Sequence, residues 1–324
     1  MIITRTPYRI SLFGGGTDFP EWYIKNSGAV LSFAINKHCY INLRELPPFF
    51  KYKFRISYSR LEEVKDVKEI EHPVVREVFK KYAPKLNLEL NHLGDLPANS
   101  GIGSSSAFTV GVINAVNILN NLNISSNDLA NSAIELEQKI LLENVGSQDQ
   151  VACSLGGINF IEFNKGDSWT ASPIKLSSDY TKQLEASMVL IFSGISRFSS
   201  NISKSLISNM SLKSDLLSKT KLLAESCNEI LKSEGDLDQV GMMLNEAWEL
   251  KQKLNPQSVT PMLSELFEKA YKSGATGGKV LGAGGGGFCL FWVDHKNRDF
   301  FIEQMKPAIN VPFKISEEGT SRVL

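Results

Sequence analysis

The stretch LPANSGIGSSSAF, residues Leu96–Phe108, lies between a strand pattern and a helix pattern. It contains two glycines and three consecutive serines, and apolar residues at helical spacing follow it. Backbone N–H groups at the start of a helix have no intrahelical acceptor, and the helix dipole adds partial positive charge there. Glycine lets an anion approach those N–H groups, so the stretch can form a phosphate cradle. An ordinary helix capped by one of the serines 104–106 explains the same pattern.

The overall composition limits the classes of partner. The chain has 324 residues, with 35 basic and 35 acidic side chains and 42% hydrophobic residues, which is enough for two domains. The balanced charge argues against a nucleic-acid partner. No run approaches the roughly 20 apolar residues of a membrane helix, and the N-terminus lacks a signal-peptide core, so we expect a cytoplasmic protein without a membrane partner. Four widely spaced cysteines are expected to be buried free thiols: Cys39, Cys153, Cys227 and Cys289.

Strand and helix patterns are mixed along the chain without strict alternation, which predicts an α+β fold rather than a doubly wound parallel sheet. The N-terminal run MIITRTPYRISLF is a strand pattern, and SSNDLANSAIELEQKILLE is a helix pattern. A polar, non-periodic segment from Asn164 to about Thr181 marks the predicted domain boundary. We therefore expect two domains, residues 1–170 and 171–324.

Two further glycine clusters flank apolar segments. GGGTD, Gly14–Asp18, follows the first strand pattern, and GAGGGG, Gly282–Gly287, separates KVL from FCLFW. The apolar neighbours of Gly282–Gly287, the third glycine cluster along the chain after Gly14–Asp18 and the Leu96–Phe108 stretch, predict a loop packed inside the fold against a ligand or another element, with a tight hairpin turn as the alternative. In the first cluster, Thr17 and Asp18 can hydrogen-bond sugar hydroxyls or form an Asx-type turn.

Two carboxylates occupy positions that suggest chemistry. On a helix with about 100° per residue, Glu137 lies in the middle of the apolar face, and Glu135 lies nearly opposite. A buried, unpaired carboxylate is costly, so Glu137 requires a metal ion, a basic partner or a proton. Asp149 lies at the start of a short predicted helix, where it either caps the helix or accepts a hydroxyl proton during phosphoryl transfer.

The order of these motifs along the chain resembles that of a known protein family. TPYRISLFGGGTD, LPANSGIGSSSAF, VGSQDQ and KVLGAGGGGFCLFW follow one another as in the GHMP kinases, the galacto-, homoserine, mevalonate and phosphomevalonate kinases. The resemblance extends over nearly the whole chain. It implies a two-domain fold, with an N-terminal domain of the ribosomal-S5-domain-2-like type and a ferredoxin-like C-terminal domain. It also implies ATP and Mg²⁺ in the cleft between the domains.

The resemblance assigns roles position by position. Asp149 corresponds to the catalytic acid–base, and Arg9 to the basic residue that faces it. Ser105 and Glu137 correspond to the Mg²⁺ ligands. The implied phosphate-binding loop consists of Pro97, Asn99, Ser100, Gly101, Ile102, Gly103, Ser104, Ser105 and Ser106. The candidate sugar-binding residues are Gly14, Gly15, Gly16, Thr17, Asp18, Gly284 and Gly285.

Within the family, RISLFGGGTDFPEWY, NVGSQDQVACSLGGINF and FSGISRFSS are most similar to the bacterial D-glycero-D-manno-heptose 7-phosphate kinases. That similarity implies phosphorylation of the anomeric hydroxyl, on the way to a GDP-activated heptose. A sugar that already bears a phosphate needs a cationic pocket, for which Arg197 is the first candidate and Lys37 and Lys279 are weaker ones. An L-fucose kinase, a mevalonate-type kinase and a non-catalytic sugar and ATP sensor remain as alternatives. The chain can be a monomer or a homodimer.

Overall fold

The computed structural model describes residues 1–194 and 200–324. In chain order, the strands of this part are β1 (Ile2–Phe13), β2 (Gly28–Glu45), β3 (Phe54–Ser57), β4 (Leu61–Val64), β5 (Leu88–Gly94), β6 (Ile158–Asn164), β7 (Ser168–Pro173), β8 (Met188–Phe192), β9 (Ala275–Val280), β10 (Phe288–Val293), β11 (Ile309–Asn310) and β12 (Ser321–Arg322).

The α-helices of the same part are α1 (Pro20–Asn26), α2 (Pro73–Tyr82), α3 (Ser104–Leu119), α4 (Ser126–Ile134), α5 (Gln148–Leu155), α6 (Ser178–Ser187), α7 (Ser200–Asn209), α8 (Ser214–Lys232), α9 (Leu237–Leu254), α10 (Pro261–Lys272) and α11 (Arg298–Gln304). A π-helical turn, Glu135–Ile140, directly follows α4.

The strands form two sheets, and nearly all of their pairings are antiparallel. The larger sheet has the order β12-β1-β2-β5-β3-β4, with β6 pairing with β2 and β7 pairing with β6. Its β3–β5 pair is parallel. The smaller sheet has the order β11-β8-β10-β9 and is antiparallel in each pair. The predicted α+β class is confirmed.

Helix α3 forms the centre of the larger core. Its side chains are buried almost all the way round, as expected for a helix with apolar residues on every face. It packs on β1 and β2 and against α5, so the loop that precedes it is held at the end of the larger sheet. Helix α9 packs on β9, and α8 packs on both α9 and β2.

The predicted domain boundary at residues 170 and 171 falls inside β7, which pairs with β6 of the larger sheet. The chain also returns to that sheet through β12, which pairs with β1. The domain limits 1–170 and 171–324 therefore remain a prediction.

Two expectations from composition can be compared with the structure. All four cysteines are buried and free, as predicted. Within residues 1–194 and 200–324, no helix is both long enough and apolar enough to cross a membrane.

Candidate active site

The loop before α3 is shaped by its glycines. The N-cap of α3 is Gly103, in the left-handed region at φ 73°, and no side chain caps the helix, so the alternative of a serine-capped helix is not supported. The first intrahelical hydrogen bond runs from the N–H of Ala107 to the carbonyl of Gly103 (2.8 Å). The N–H groups of residues 104–106 therefore precede the helical ladder. They remain for an anion in the cleft, which favours the phosphate cradle over the capped helix.

The third glycine cluster packs directly against this loop. A Cβ on Gly101 would lie 2.6 Å from the carbonyl oxygen of Leu281, and a Cβ on Gly287 would lie 2.3 Å from that of Ser100. The N–H of Phe288 also donates to the carbonyl of Ser100 (3.0 Å). The glycines thus permit backbone-to-backbone contact between two loops, as the apolar flanks predicted, although the loop also connects the β9–β10 hairpin.

The two glycines of the third cluster that were predicted to bind substrate have different surroundings. Gly284 lines the cleft, where the three glycine loops meet. The N–H of Gly285 instead donates to the carbonyl of Ser258 (2.8 Å), so this group is already committed within the protein.

Arg9 and Asp149 form a two-pronged ion pair in the cleft. Nε of Arg9 donates to Oδ1 of Asp149 at 2.7 Å, and Nη2 donates to Oδ2 at 2.6 Å. The remaining Nη1 donates to the carbonyl of Gly101 at 2.7 Å, so one guanidinium joins the carboxylate to the glycine loop. The Arg9 side chain is 4% exposed and that of Asp149 is 23% exposed, so the carboxylate remains accessible to a ligand. The facing positions predicted for these two residues are observed.

Asp18 is buried behind the first glycine cluster. Its Oδ1 accepts from the N–H of Gly16 (2.8 Å), and its Oδ2 accepts from the N–H of Gln148 (3.3 Å). Burial, and then the nearby charge of Asp149, raises the pKa of Asp18 to about 6. A Cβ on Gly146 would lie 1.9 Å from Oδ2 of Asp18, so the glycine of the VGSQDQ motif makes room for this carboxylate.

Thr17 does not reach the cleft, in contrast to the prediction that it binds sugar. It is completely buried, and its hydroxyl lies 2.8 Å from the carbonyl of Gly14 and 3.0 Å from that of Ala29. Gly14 itself packs on β2, where a Cβ would lie 2.0 Å from the same Ala29 carbonyl. Thr17 and Gly14 therefore fix the conformation of the loop. Its three glycines, Gly14, Gly15 and Gly16, line the cleft.

Glu137 lies in the π-helical turn and is fully buried, as the helical spacing predicted, while Glu135 is exposed. Its Oε2 accepts from the hydroxyl of Ser106 (3.0 Å) and from the side-chain amide of Gln150. Its Oε1 accepts no hydrogen bond of standard geometry, although the Thr109 side chain lies close enough to favour the charged carboxylate. Burial raises the pKa of Glu137 to about 7. Among the described residues, the groups that act on Glu137 are Thr109, Glu143, Gln150 and Ser106, and none of them is basic, so the alternative of a structural ion pair is not supported.

The donor set at Glu137 fits a magnesium ion. A buried carboxylate oxygen without a hydrogen bond of standard geometry, next to a serine hydroxyl, offers the hard oxygen ligands that Mg²⁺ prefers. Mg²⁺ commonly takes only one or two protein ligands and completes its shell with water and phosphate oxygens. In the described part of the chain there is no cluster of three or more His, Cys, Asp or Glu side chains that could hold a metal ion. The hydroxyl at Glu137 belongs to Ser106, whereas the predicted Ser105 is exposed at the cleft.

Two lysines line the cleft in addition to Arg9. Nζ of Lys279 donates to the carbonyls of Ser11 (3.1 Å) and Leu12 (3.0 Å), and burial lowers the pKa of Lys279 to about 7. Nζ of Lys251 donates to the carbonyls of Val280 (2.7 Å) and Gly282.

Lys251 was not predicted as a site residue, although its helical spacing indicated that it is partly buried. It lies three residues after Trp248 and seven after Leu244, on the apolar face of α9, by the same spacing that singled out Glu137. Lys37 does not line the cleft, and Arg197 lies outside the described residues.

Two family models match the chain. The GHMP kinase N-terminal domain matches residues 68–157, and the GHMP kinase C-terminal domain matches residues 223–309. Together they span just over half of the chain and include the second and third glycine clusters, Glu137 and Asp149.

Individual relatives match most or all of the chain. The D-glycero-alpha-D-manno-heptose 7-phosphate kinase of Campylobacter jejuni is 29% identical, and the match covers 98% of this chain and 97% of that protein. The bifunctional fucokinase/GDP-fucose pyrophosphorylase of Arabidopsis thaliana is 25% identical over 88% of this chain, which corresponds to 29% of the relative. The crystal structure of a D-glycero-D-manno-heptose 1-phosphate kinase from Bacteroides thetaiotaomicron has a TM-score of 0.83 at 24% identity, covering 100% of this chain and 99% of that one.

The fold of this solved structure agrees with the predicted two-domain GHMP kinase architecture. The motifs, the two family domains and the cleft between three glycine loops lead to one assignment. The chain belongs to the GHMP kinases and is an ATP-dependent kinase of a hydroxyl group.

Proposed function

We propose that the protein transfers the γ-phosphate of ATP to the anomeric hydroxyl of D-glycero-D-manno-heptose 7-phosphate and releases the 1,7-bisphosphate. The observation that carries this proposal is the end-to-end similarity to a heptose 7-phosphate kinase, over 98% of this chain and 97% of the relative. The product would supply the synthesis of a GDP-activated heptose in the cytoplasm.

Asp149 acts as the base in this proposal. Its accessible carboxylate would accept the proton of the sugar hydroxyl as that oxygen attacks the γ-phosphate in line. Arg9 fixes the orientation of the carboxylate through two hydrogen bonds and also holds the carbonyl of Gly101. The base is therefore kept in register with the loop that binds the phosphates.

The start of α3 stabilises the charge on the transferred group. The N–H groups of residues 104–106 provide fixed donors, and they need no rearrangement when negative charge develops on the phosphate oxygens. Ser106 and Glu137 would hold the magnesium ion, which neutralises phosphate charge when it is bound.

The sugar would lie beside the first glycine cluster. Gly15 and Gly16 carry no side chains, which leaves room in the cleft for a large acceptor. Asp18 and Gln148 line the same wall and can contact hydroxyl groups.

A fucose-type kinase is the second candidate, because a fucokinase-containing relative matches 88% of this chain. A non-catalytic sensor is less well supported, because the Arg9–Asp149 pair is fully formed in the cleft.

An acceptor panel tests the proposal. ADP release with Mg²⁺ and ATP is measured for heptose 7-phosphate, free heptose, L-fucose, galactose and mevalonate. We expect the highest kcat/KM with heptose 7-phosphate. A higher kcat/KM with L-fucose would replace the heptose assignment with the fucose kinase, and no turnover of any acceptor would favour the sensor.

A further inference from the structure

Three cations in the cleft donate to backbone carbonyls, two of them within glycine loops and the third at the end of the strand that precedes a glycine loop. Arg9 donates to the carbonyl of Gly101 in the second loop. Lys279 donates to the carbonyls of Ser11 and Leu12, at the end of β1 just before the first loop. Lys251 donates to the carbonyl of Gly282 in the third loop. Three different elements, β1, β9 and α9, thus direct positive charge to the place where the loops converge.

The charge of these cations is only partly balanced. Asp149 pairs with Arg9, whereas within residues 1–194 and 200–324 no carboxylate forms an ion pair with Lys251 or Lys279. Burial lowers the pKa of Lys251 well below its usual range, and the nearby charges of Lys279 and Arg9 lower it further. Two neighbouring ammonium groups without a counter-ion are unfavourable, so the site gains from an anion between them.

The hydrogen bonds to backbone carbonyls do not explain why both Lys251 and Lys279 are lysines. An ammonium group has three N–H donors, and each of the two lysines uses two of them on carbonyls. The third donor of each remains for a ligand in the cleft. A neutral donor would satisfy the same carbonyls without the desolvation of a charge, whereas a lysine ammonium is a common phosphate ligand.

We propose that Lys251 and Lys279 form a phosphate-binding subsite of the cleft, separate from the N-terminus of α3. The inference rests on the proposed function in that a sugar-phosphate kinase brings two sources of phosphate to this cleft. One source is the phosphate already on the sugar, and the other is the triphosphate of ATP. The chemistry of the subsite is the same for both, and kinetics distinguish them.

The experiment compares Lys251→Met and Lys279→Met with Lys253→Met. Lys253 lies on the same helix as Lys251, is exposed and pairs with Glu249, so its replacement removes one charge outside the cleft. KM and kcat are measured for ATP and for heptose 7-phosphate, and thermal unfolding reports on folding. We expect the two cleft variants to raise one KM by about 10- to 100-fold, the loss of one charge-assisted hydrogen bond. The Lys253 variant should match the wild type.

The substrate whose KM rises identifies the source. A rise for heptose 7-phosphate alone assigns the subsite to the phosphate of the sugar, and a rise for ATP alone assigns it to the nucleotide. A fall in kcat with both KM values unchanged would overturn the proposal, because the lysines would then only support the loops. Should a Met variant not fold, Lys→Gln is the replacement, since its amide still donates to carbonyls while the charge is gone.

A binding measurement separates this proposal from the proposed function. Sulfate binding is followed by calorimetry without turnover, so it reports on the subsite even if heptose 7-phosphate is not an acceptor. The wild type and the Lys253 variant should bind sulfate at least about tenfold more tightly than the cleft variants. Equal sulfate affinity in all four proteins would overturn the subsite.

Discussion

The substitution Asp149→Asn removes the proposed base and changes the shape of the side chain very little. In the wild type both carboxylate oxygens accept from Arg9, at 2.7 and 2.6 Å. The amide retains one acceptor and presents an N–H₂ group to the other donor, so one charge-assisted hydrogen bond is lost. That loss costs about 1.5–3 kcal/mol. We expect the lower end of this range for the free energy of unfolding, because the carboxylate is 23% exposed and water can solvate Arg9 in its place.

The effect on catalysis should be larger than the effect on folding. Loss of a general base lowers a rate by about 10²- to 10⁴-fold, which corresponds to roughly 3–5 kcal/mol in the barrier. ADP release is measured at saturating ATP and heptose 7-phosphate, at a temperature where thermal unfolding shows that the variant is folded. We expect kcat to fall by about 10²-fold or more, while the Kd for ATP changes little.

The matched control is Asp128→Asn. Asp128, like Asp149, is an acidic residue in the first turn of a helix, but it is exposed and does not line the cleft. This variant should keep the wild-type kcat. A kcat for Asp149→Asn within about threefold of the wild type, far below the loss expected for a base, would refute the assignment of Asp149.

Three further predictions concern other residues of the cleft. Glu137→Gln should raise the Mg²⁺ concentration for half-maximal rate by at least about tenfold, since even outer partners of a metal site have such effects; an unchanged Mg²⁺ requirement would contradict the magnesium site. Gly146→Ala places a Cβ 1.9 Å from the buried Asp18 carboxylate, so it should destabilise the fold by about 1–3 kcal/mol and raise the sugar KM; normal values of both would show that the contact is dispensable. The pKa of Lys279 is lowered from 10.5 to about 7, so the unfolded chain binds one more proton between these values. Wild-type stability should therefore rise with pH above 7, by about 1.4 kcal/mol per pH unit relative to Lys279→Met, and parallel pH curves from denaturant unfolding would exclude that shift.

Periodicity in the sequence was sufficient to predict features that depend on a single helix or strand. The burial of Glu137 and the exposure of Glu135 follow from helical spacing, even though the local structure is a π-helical turn. The strand β1 and the helix α3 follow from their apolar patterns in the same way. The same spacing places Lys251 on the apolar face of α9, so the partial burial of this residue also follows from helical periodicity.

Features that depend on contacts between distant segments could not be read in this way. The pairing of Arg9 with Asp149 joins residues 140 positions apart, and only the family resemblance suggested it. That the hydroxyl of Ser106 donates to Glu137 depends on where α3 begins, and Gly103 sets that start with a left-handed backbone that serine adopts poorly. The role of Gly146 follows from its contact with Asp18, which lies on a different loop.

Phosphorus NMR of the reaction product tests the central claim most directly. Heptose 7-phosphate is incubated with ATP, Mg²⁺ and the protein, and the new phosphorus signal is assigned by its coupling to the sugar protons. We expect a second phosphate coupled to the anomeric proton, with the original 7-phosphate intact. A phosphate on any other carbon, or no new sugar phosphate while L-fucose is phosphorylated, would contradict this claim.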